Sequence, residues 1–193
     1  MRSRETKALA AVLVLGAACG AGCGSDETSC SDAVISRADP GGNFAKYATF
    51  AVPPADAYPD SLPVDVTTAL LQANTSAAAE LTKNGFQEIS PSENPDLSLF
   101  SLARTADQNA LYWQCTGGYW YGYWGWYWDS CAYLNQVSTS IPVGTVVVGL
   151  VDPALQKIVY GGAVQGVLSC GEDQASRVDA GVTTIMSNYP YYF

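Results

Sequence analysis

The stretch TVVVGLVDPALQKIVYGGAV, residues 145–164, decides the fold of this chain. Residues 145–151 are almost all β-branched or apolar, which predicts a strand, and Asp152-Pro153 ends it. Apolar side chains alternate along residues 156–164, which predicts the second strand of a hairpin. We therefore expect an antiparallel sheet built around this hairpin.

Two further strands are predicted before the hairpin. Residues 47–52 form an apolar and β-branched run that ends at two prolines. Residues 96–103 form the second strand candidate, and their side chains point alternately to opposite faces. The apolar ones divide between both faces: Leu97 and Leu99 on one, Phe100 and Leu102 on the other.

Two helices are predicted because apolar residues recur at spacings of three or four. The first covers residues 65–84, with Asp65 as its N-cap and Gly85 at its end, and the second covers about residues 173–188. Their apolar stripes are Val66, Leu70, Ala73, Ala77 and Leu81 in the first helix, and Val178, Val182, Ile185 and Tyr189 in the second. The sequence therefore predicts an α+β domain: an antiparallel sheet of about four or five strands with two helices packed on one face.

The N-terminus has the layout of a bacterial lipoprotein signal peptide. A short basic start precedes the uncharged apolar run of residues 8–18, and small residues lead into Cys19 and again into Cys23. The run has about 11 residues, well short of the roughly 20 that a membrane-spanning helix needs. We predict a signal peptide over residues 1–22, and a signal peptide without lipidation is the alternative.

The number of cysteines favours Cys23 as the lipidated residue and leaves Cys19 as the alternative. Four cysteines remain if Cys23 is modified, whereas an odd number remains if Cys19 is modified, and an oxidising compartment favours pairs. We expect a tether over residues 23–31 and a single domain over residues 32–193. The expected disulfides are Cys115–Cys131, which closes a local loop, and Cys30–Cys170 by remainder.

Composition excludes several classes of function. The chain carries a net charge of −9 and no histidine. The acidic balance disfavours binding to nucleic acid, and the lack of histidine excludes Ser-His-Asp and Cys-His mechanisms. The sequence contains neither the Walker-type nor the dinucleotide-binding glycine motif. Gly41-Gly42 and Gly161-Gly162 are predicted as turn residues. We expect no enzymatic activity, no cofactor and no metal site.

Residues 112–133, the aromatic-rich segment, contain all five tryptophans and half of the 12 tyrosines. Asp129 is the one charged residue in the segment, and it is a candidate acid for glycan hydrolysis, with Asp107 second and a solvated charge as the simpler interpretation. The candidate contact residues are Trp113, Trp120, Tyr121, Tyr123, Trp124, Trp126 and Trp128.

Three interpretations of the aromatic-rich segment are open. In the first, the segment forms a hairpin whose rings pack on the sheet. In the second, the rings form an exposed platform that binds a sugar or a protein, and in the third they contact a membrane interface. Successive residues of a strand point to opposite sides, so one sheet face cannot bury all of these rings.

Six short strings resemble, in order, a family of bacterial lipoproteins. They are Tyr47-Ala48-Thr49-Phe50-Ala51, Leu81 to Phe86, Pro95-Asp96-Leu97, Gly144 to Asp152, Ile158 to Ala163 (with Tyr160 where the family has Trp) and Asn188-Tyr189-Pro190. The chain resembles the lipoproteins that carry domain of unknown function 4136, over roughly residues 33–190. The resemblance implies an α+β envelope lipoprotein without an established activity, and it transfers no catalytic residue.

These observations together predict a non-enzymatic lipoprotein of the cell envelope. Glycine follows either candidate cysteine, which by resemblance to other lipoproteins suggests the outer membrane, facing the periplasm or the cell surface. We expect an interaction or structural module that uses the aromatic-rich segment to contact an envelope protein or a glycan. A carbohydrate or peptidoglycan-binding module is the alternative.

Overall fold

A computed structural model describes residues 32–58, 60, 62–105, 141–169 and 173–191 of this chain. Within these ranges it contains six strands, two α-helices and three short 3-10 turns. The strands are β1 (Ala33–Ala38), β2 (Thr49–Ala51), β3 (Gln87–Glu88), β4 (Leu97–Arg104), β5 (Thr145–Asp152) and β6 (Lys157–Gln165). The helices are α1 (Val64–Lys83) and α2 (Gln174–Ser187), and the 3-10 turns are Phe44–Lys46, Ala55–Ala57 and Pro91–Glu93.

The described strands form one mixed sheet in the order β1-β6-β5-β4-β2-β3. β1, β6, β5 and β4 pair antiparallel, whereas β2 runs parallel to both β3 and β4. The α+β prediction is confirmed, but the prediction of a purely antiparallel sheet of four or five strands is wrong. Helix α1 lies between β2 and β3 in the sequence. Such a helical crossover allows the strands after it, β3 and β4, to run parallel to β2.

The strand predictions differ from the structure at the sheet edges. The strands predicted at residues 47–52, 96–103, 145–151 and 156–164 are present, and their ends differ from the prediction by at most two residues. The edge strands β1 and β3 were not predicted from the sequence. β3 has only two residues, and four of the six residues of β1 are exposed, so neither leaves a clear apolar pattern.

Both helices pack on the same face of the sheet, which we call the helix face. Leu97 and Leu99 of β4 and Val146, Val148 and Leu150 of β5 meet both helices in a single core cluster. Every residue of the two predicted helical stripes is buried in this cluster. The 3.6-residue period of the sequence therefore identified the correct helix surfaces.

The two ends of α1 differ in how well they were predicted. Pro63 occupies the N-cap position and no side chain caps the helix there, so the prediction that Asp65 is the N-cap is wrong. Asp65 lies in the first turn, where its charge favours the positive end of the helix dipole. The C-terminal end is as predicted, because Gly85 adopts φ +88° and the Phe86 N–H donates to the Leu81 carbonyl at 3.1 Å.

Gly161 and Gly162 lie inside strand β6, so their prediction as turn residues is wrong. The reason is close packing of α2 on β6. A Cβ atom on Gly162 would collide with the Ile35 carbonyl oxygen and would lie 2.8 Å from the Ile185 side chain. Gly181 of α2 faces the same interface, and a Cβ there would lie 2.5 Å from Val164.

We predict that Gly162→Ala lowers the free energy of unfolding by about 1–3 kcal/mol, because the added methyl group overpacks the β1–β6–α2 interface. Gly41→Ala is the matched control: its nearest neighbours would lie 3.9 Å away, and the change stays within about 0.5 kcal/mol. Urea denaturation measures both values. Equal stabilities of the two variants would contradict the account.

Candidate functional site

The face of the sheet opposite the helices, which we call the second face, is apolar across its three central strands. Its side chains come from alternate positions of β4, β5 and β6, the positions that do not face the helices. Together with Ile141, which precedes β5, these side chains form a separate buried cluster, and Ile158 packs against it. The members from the strands are Phe100, Leu102, Val147, Val151 and Ala163.

Strand register sets the geometry of the second face. Leu102 pairs with Val147, which pairs in turn with Ala163, so these three side chains form a row across the strands. Phe100 is opposite Gly149, and its ring lies over that residue: a Cβ on Gly149 would be 2.5 Å from a ring carbon. The small residues of β5 and β6 thus make room for the large ring.

The second face is uncharged along β4 and β5 until it reaches Arg104 at one end. The Arg104 guanidinium donates a hydrogen bond to the Ile141 carbonyl, and the Arg104 carbonyl accepts one from the Gly144 N–H at 2.7 Å. The Thr145 hydroxyl donates to the Pro142 carbonyl, also at 2.7 Å. These bonds hold together the two points at which the chain leaves β4 and enters β5.

Burial on the second face changes towards the sheet edge. Phe100 and Val151, near the centre, are 2% and 0% exposed. On the same side of β1, Ile35 stands beside Ala163 and is 52% exposed. The central strands are therefore covered and the β1 edge is open.

A shallow groove of about 240 Å³ lies between β1 and α2. Its volume is below the roughly 300–1,000 Å³ of typical small-molecule sites. The acidic and basic side chains that line it, Asp32 and Arg177, form an ion pair with each other. We therefore place no ligand site in this groove.

Neither a metal site nor a membrane span is evident in the described part of the chain. Within the described ranges, no group of three or more histidine, cysteine, aspartate or glutamate side chains could hold a metal ion. The two helices of those ranges are not long and apolar enough to cross a bilayer.

A family model described as domain of unknown function (DUF4136) matches residues 34–191. The chain belongs to the DUF4136 family. This match confirms the resemblance drawn from the six short strings. A search among curated proteins found no significant match.

Solved structures of low sequence identity resemble the DUF4136 chain. A DUF4136 family protein from Bacteroides thetaiotaomicron is 17% identical with a TM-score of 0.54, over 83% of this chain and 96% of that one. At this identity, the likeness shows the fold alone. Two structures of the PelC dodecamer from Paraburkholderia phytofirmans are 13% and 12% identical, with TM-scores of 0.42 and 0.40, over 81% of this chain and 96% of those chains.

Asp96 joins two of the strings that carry the DUF4136 resemblance. Its carboxylate accepts hydrogen bonds from the Ala48 and Thr49 N–H groups and from the Thr49 hydroxyl, each at 2.9 Å. In return, the Asp96 N–H donates to the Thr49 hydroxyl oxygen at 2.9 Å. Partial burial raises the pKa of Asp96, but the backbone and hydroxyl donors outweigh it and hold the pKa below its usual value. This contact fixes β2 beside the start of β4.

Asp152, the last residue of β5, makes a second such connection. Its carboxylate accepts hydrogen bonds from the Lys46 ammonium at 2.7 Å, the Tyr47 hydroxyl at 2.9 Å and the Leu155 N–H at 2.9 Å. Burial raises the pKa of Asp152, but these donors outweigh it and leave the pKa below its usual value. Burial and the bond to Asp152 both raise the pKa of Tyr47. Asp152 therefore ties the β5–β6 hairpin to the chain before β2.

Two further family positions meet in the helix-face core. The rings of Tyr160 and Tyr189 are 5.1 Å apart in an edge-to-face arrangement. The Tyr160 hydroxyl donates a hydrogen bond to the Ile185 carbonyl of α2. Tyr160 thus attaches β6 to α2.

The residues proposed from the sequence as candidate acids, contact residues, lipidation sites or disulfide partners lie outside the described residues. This applies to Asp107 and Asp129, to all five tryptophans, to Tyr121 and Tyr123, and to Cys19, Cys23, Cys30, Cys115, Cys131 and Cys170. The prediction that Phe100 and Leu102 lie on the face opposite Leu97 and Leu99 is confirmed. The described residues add what the sequence analysis missed, the contacts that the carboxylates of Asp96 and Asp152 make with distant parts of the chain. The sequence signals for these carboxylates were the string Pro95-Asp96-Leu97 and the pair Asp152-Pro153, which begins at the last residue of β5.

We predict that Asp152→Asn lowers the free energy of unfolding at pH 7 by about 1–3 kcal/mol, because a buried charged acceptor with three donors is lost. The folded pKa of Asp152 is depressed, so its contribution is present above the ordinary value of 3.8 and is lost as the pH falls through the folded pKa. The difference between wild type and variant therefore shrinks below about pH 4.

Urea denaturation between pH 3 and pH 7 measures this pH dependence. Asp39→Asn is the control, because Asp39 pairs with Lys157 at the surface, and its replacement changes stability little. The same loss for Asp152→Asn at pH 3 and pH 7 would show that the charge of Asp152 contributes nothing.

Proposed function

We propose that this DUF4136 chain is a non-enzymatic lipoprotein of the cell envelope that acts as an interaction or structural module through the aromatic-rich segment. Tryptophan and tyrosine offer a large contact area with a polar edge, and they are enriched at contact sites between proteins. The concentration of all five tryptophans in residues 112–133 is the sequence feature behind the proposal.

The observation that carries the proposal is the anchoring of this region on the sheet. Arg104 and Thr145 are register partners on adjacent antiparallel strands, so residues 106–140 begin and end at neighbouring points of a hydrogen-bonded scaffold. Binding residues commonly lie in segments that a rigid scaffold positions. The arrangement supports the presentation of the aromatic-rich segment to a partner.

The anchor that we propose is a lipid on Cys23, with Cys19 as the alternative, in the outer membrane and facing the periplasm or the cell surface. Strand β1 begins at Ala33, ten positions after Cys23. A fully extended tether of that length reaches about 35 Å. The domain would therefore stay close to the membrane, where partners of the cell envelope are found.

A carbohydrate or peptidoglycan-binding module is the second candidate. Flat aromatic side chains with polar edges suit the faces of sugar rings as well as protein surfaces. The two candidates differ in one respect: the second requires direct, saturable binding of purified glycan with no protein partner.

We predict that replacing Trp120, Trp124 and Trp126 with alanine abolishes capture of a partner from envelope extracts, because the contact area is removed. Val64→Ala is the matched control: it removes an apolar side chain that is 82% exposed on α1 and does not belong to the aromatic-rich segment, and it leaves capture intact. Circular dichroism confirms that each variant is folded. Undiminished capture by the triple variant would refute the interaction module.

Binding to purified peptidoglycan, measured by co-sedimentation, decides between the two candidates. Saturable binding that the triple alanine variant loses would make the glycan module the function. Capture of an envelope protein with no glycan binding would support the interaction module.

A further inference from the structure

Strand β1 is an open edge of the described sheet. It stands first in the strand order, and among the described strands it pairs with β6 alone. Arg37 is its one charged residue, and Ile35 is 52% exposed. The opposite edge, β3, has only two residues, and both are polar and exposed. An edge strand of six residues with an exposed apolar side chain is suited to pairing with another strand, whereas a short polar edge is not.

The register with β6 fixes which backbone groups β1 presents at this edge. The Asp39 N–H donates to the Val159 carbonyl at 2.8 Å, and a Cβ atom on Gly162 of β6 would collide with the Ile35 carbonyl oxygen. Odd-numbered residues of β1 therefore bond to β6, since bonded and non-bonded pairs alternate along an antiparallel ladder. The residues whose N–H and carbonyl groups point to the open edge are Val34, Ser36 and Ala38.

These open groups are complementary to the same groups of a second copy. In an antiparallel pair of β1 strands centred on Ile35, Val34 of one copy is opposite Ser36 of the other, and their backbone groups bond. Ile35 then faces Ile35 of the second copy at a non-bonded position, where side chains come closest. Arg37 lies opposite Ala33, which keeps the two Arg37 charges at opposite ends of the pair.

The layer of helices continues across such a pair of strands. Helix α2 packs on β6 and β1, and α1 packs on β4 and β5, so each helix covers two strands. Because strands lie about 4.8 Å apart, helices over successive pairs of strands are about 10 Å apart, the distance at which helices pack. A second copy joined at β1 places its own α2 at this same distance from α2.

The row of α2 residues beside the groove suits such a neighbour. Ser176, Ala180 and Thr184 are small, uncharged and exposed, and they recur every four residues along the groove between β1 and α2. The Thr184 hydroxyl already donates to the Ala180 carbonyl at 2.8 Å, so contact with a second helix leaves this donor paired. The charged residues of the groove, Asp32 and Arg177, form an ion pair with each other. The strand edge and the adjacent helix therefore both complement the same elements of a second copy.

We propose that two copies of this chain associate through β1, with antiparallel pairing of the two strands centred on Ile35 and contact between the two α2 helices. The pairing joins two sheets into one, and because the same surface is used by both copies the contact closes at a dimer. This goes beyond the proposed function, because it concerns a surface outside the aromatic-rich segment. An extended segment of another protein is the competing occupant of the edge.

Exchange of charge at position 35 tests the pairing, because this position faces itself across the two-fold axis. Sedimentation equilibrium of the purified protein is expected to show a dimer. We expect Ile35→Lys and Ile35→Glu each to raise the dissociation constant roughly tenfold or more, since like charges then stand opposite each other on adjacent strands. An equimolar mixture of the two variants restores the dimer, because the opposed charges now differ in sign. Val64→Lys, at an exposed apolar position of α1, is the matched control and leaves the dimer intact.

Ser36→Pro tests the backbone pairing separately. The Ser36 N–H points to the open edge, so proline removes a hydrogen bond to the second copy and none to β6. We expect this variant to be monomeric with the circular dichroism of the unaltered protein. If Ser36→Pro fails to fold, the exchange of charge at position 35 still decides.

An unaltered protein that stays monomeric at every concentration would overturn the proposal and leave the edge to a segment of another protein. A dimer that is unaffected by Ile35→Lys, or a mixture of the two charge variants that stays monomeric, would overturn it as well. So would an assembly of more than two copies. None of these measurements uses partner capture, so failure of the pairing and failure of the proposed function are distinguishable.

Discussion

Strands β4 and β5 bury apolar side chains on both of their faces, and the rest of the molecule depends on this constraint. A sheet with a single apolar face needs one covering layer, whereas this sheet needs two. On the helix face, α1 and α2 supply the layer, and Gly162 and Gly181 allow α2 to approach closely. On the second face, Phe100 and its neighbours are equally buried without a described helix above them.

The parts of the fold that could be predicted from the sequence are those with a strong local period. Helix α1 and the β5–β6 hairpin are of this kind, because their apolar spacing directly reflects one buried surface. The parallel pairing of β2 could not be predicted in this way, since it depends on contacts between distant residues. Lys46 and Asp152 are 106 positions apart, and Asp96 meets Thr49 across 47 positions. The position of Gly162 inside a strand likewise results from its neighbours in space and not in sequence.

The candidate site could be predicted only in part. The sequence indicates that residues 112–133 are exceptional in aromatic content, and the structure adds that Arg104 and Thr145, on either side of this stretch, are register partners on adjacent strands. The pairing of Arg104 with Thr145, residues 41 positions apart, sets this attachment, and such long-range pairing leaves no local pattern in the sequence.

The most direct measurement of the central claim, that β4 and β5 bury apolar side chains on both of their faces, compares one leucine from each face of β4. Leu99 belongs to the helix-face core and Leu102 to the second face. The account predicts that Leu99→Ala and Leu102→Ala each lower the free energy of unfolding, measured by urea denaturation, by about 2–5 kcal/mol, whereas Val64→Ala, at an exposed position, changes it little. A loss for Leu99→Ala together with an unchanged stability for Leu102→Ala would contradict it.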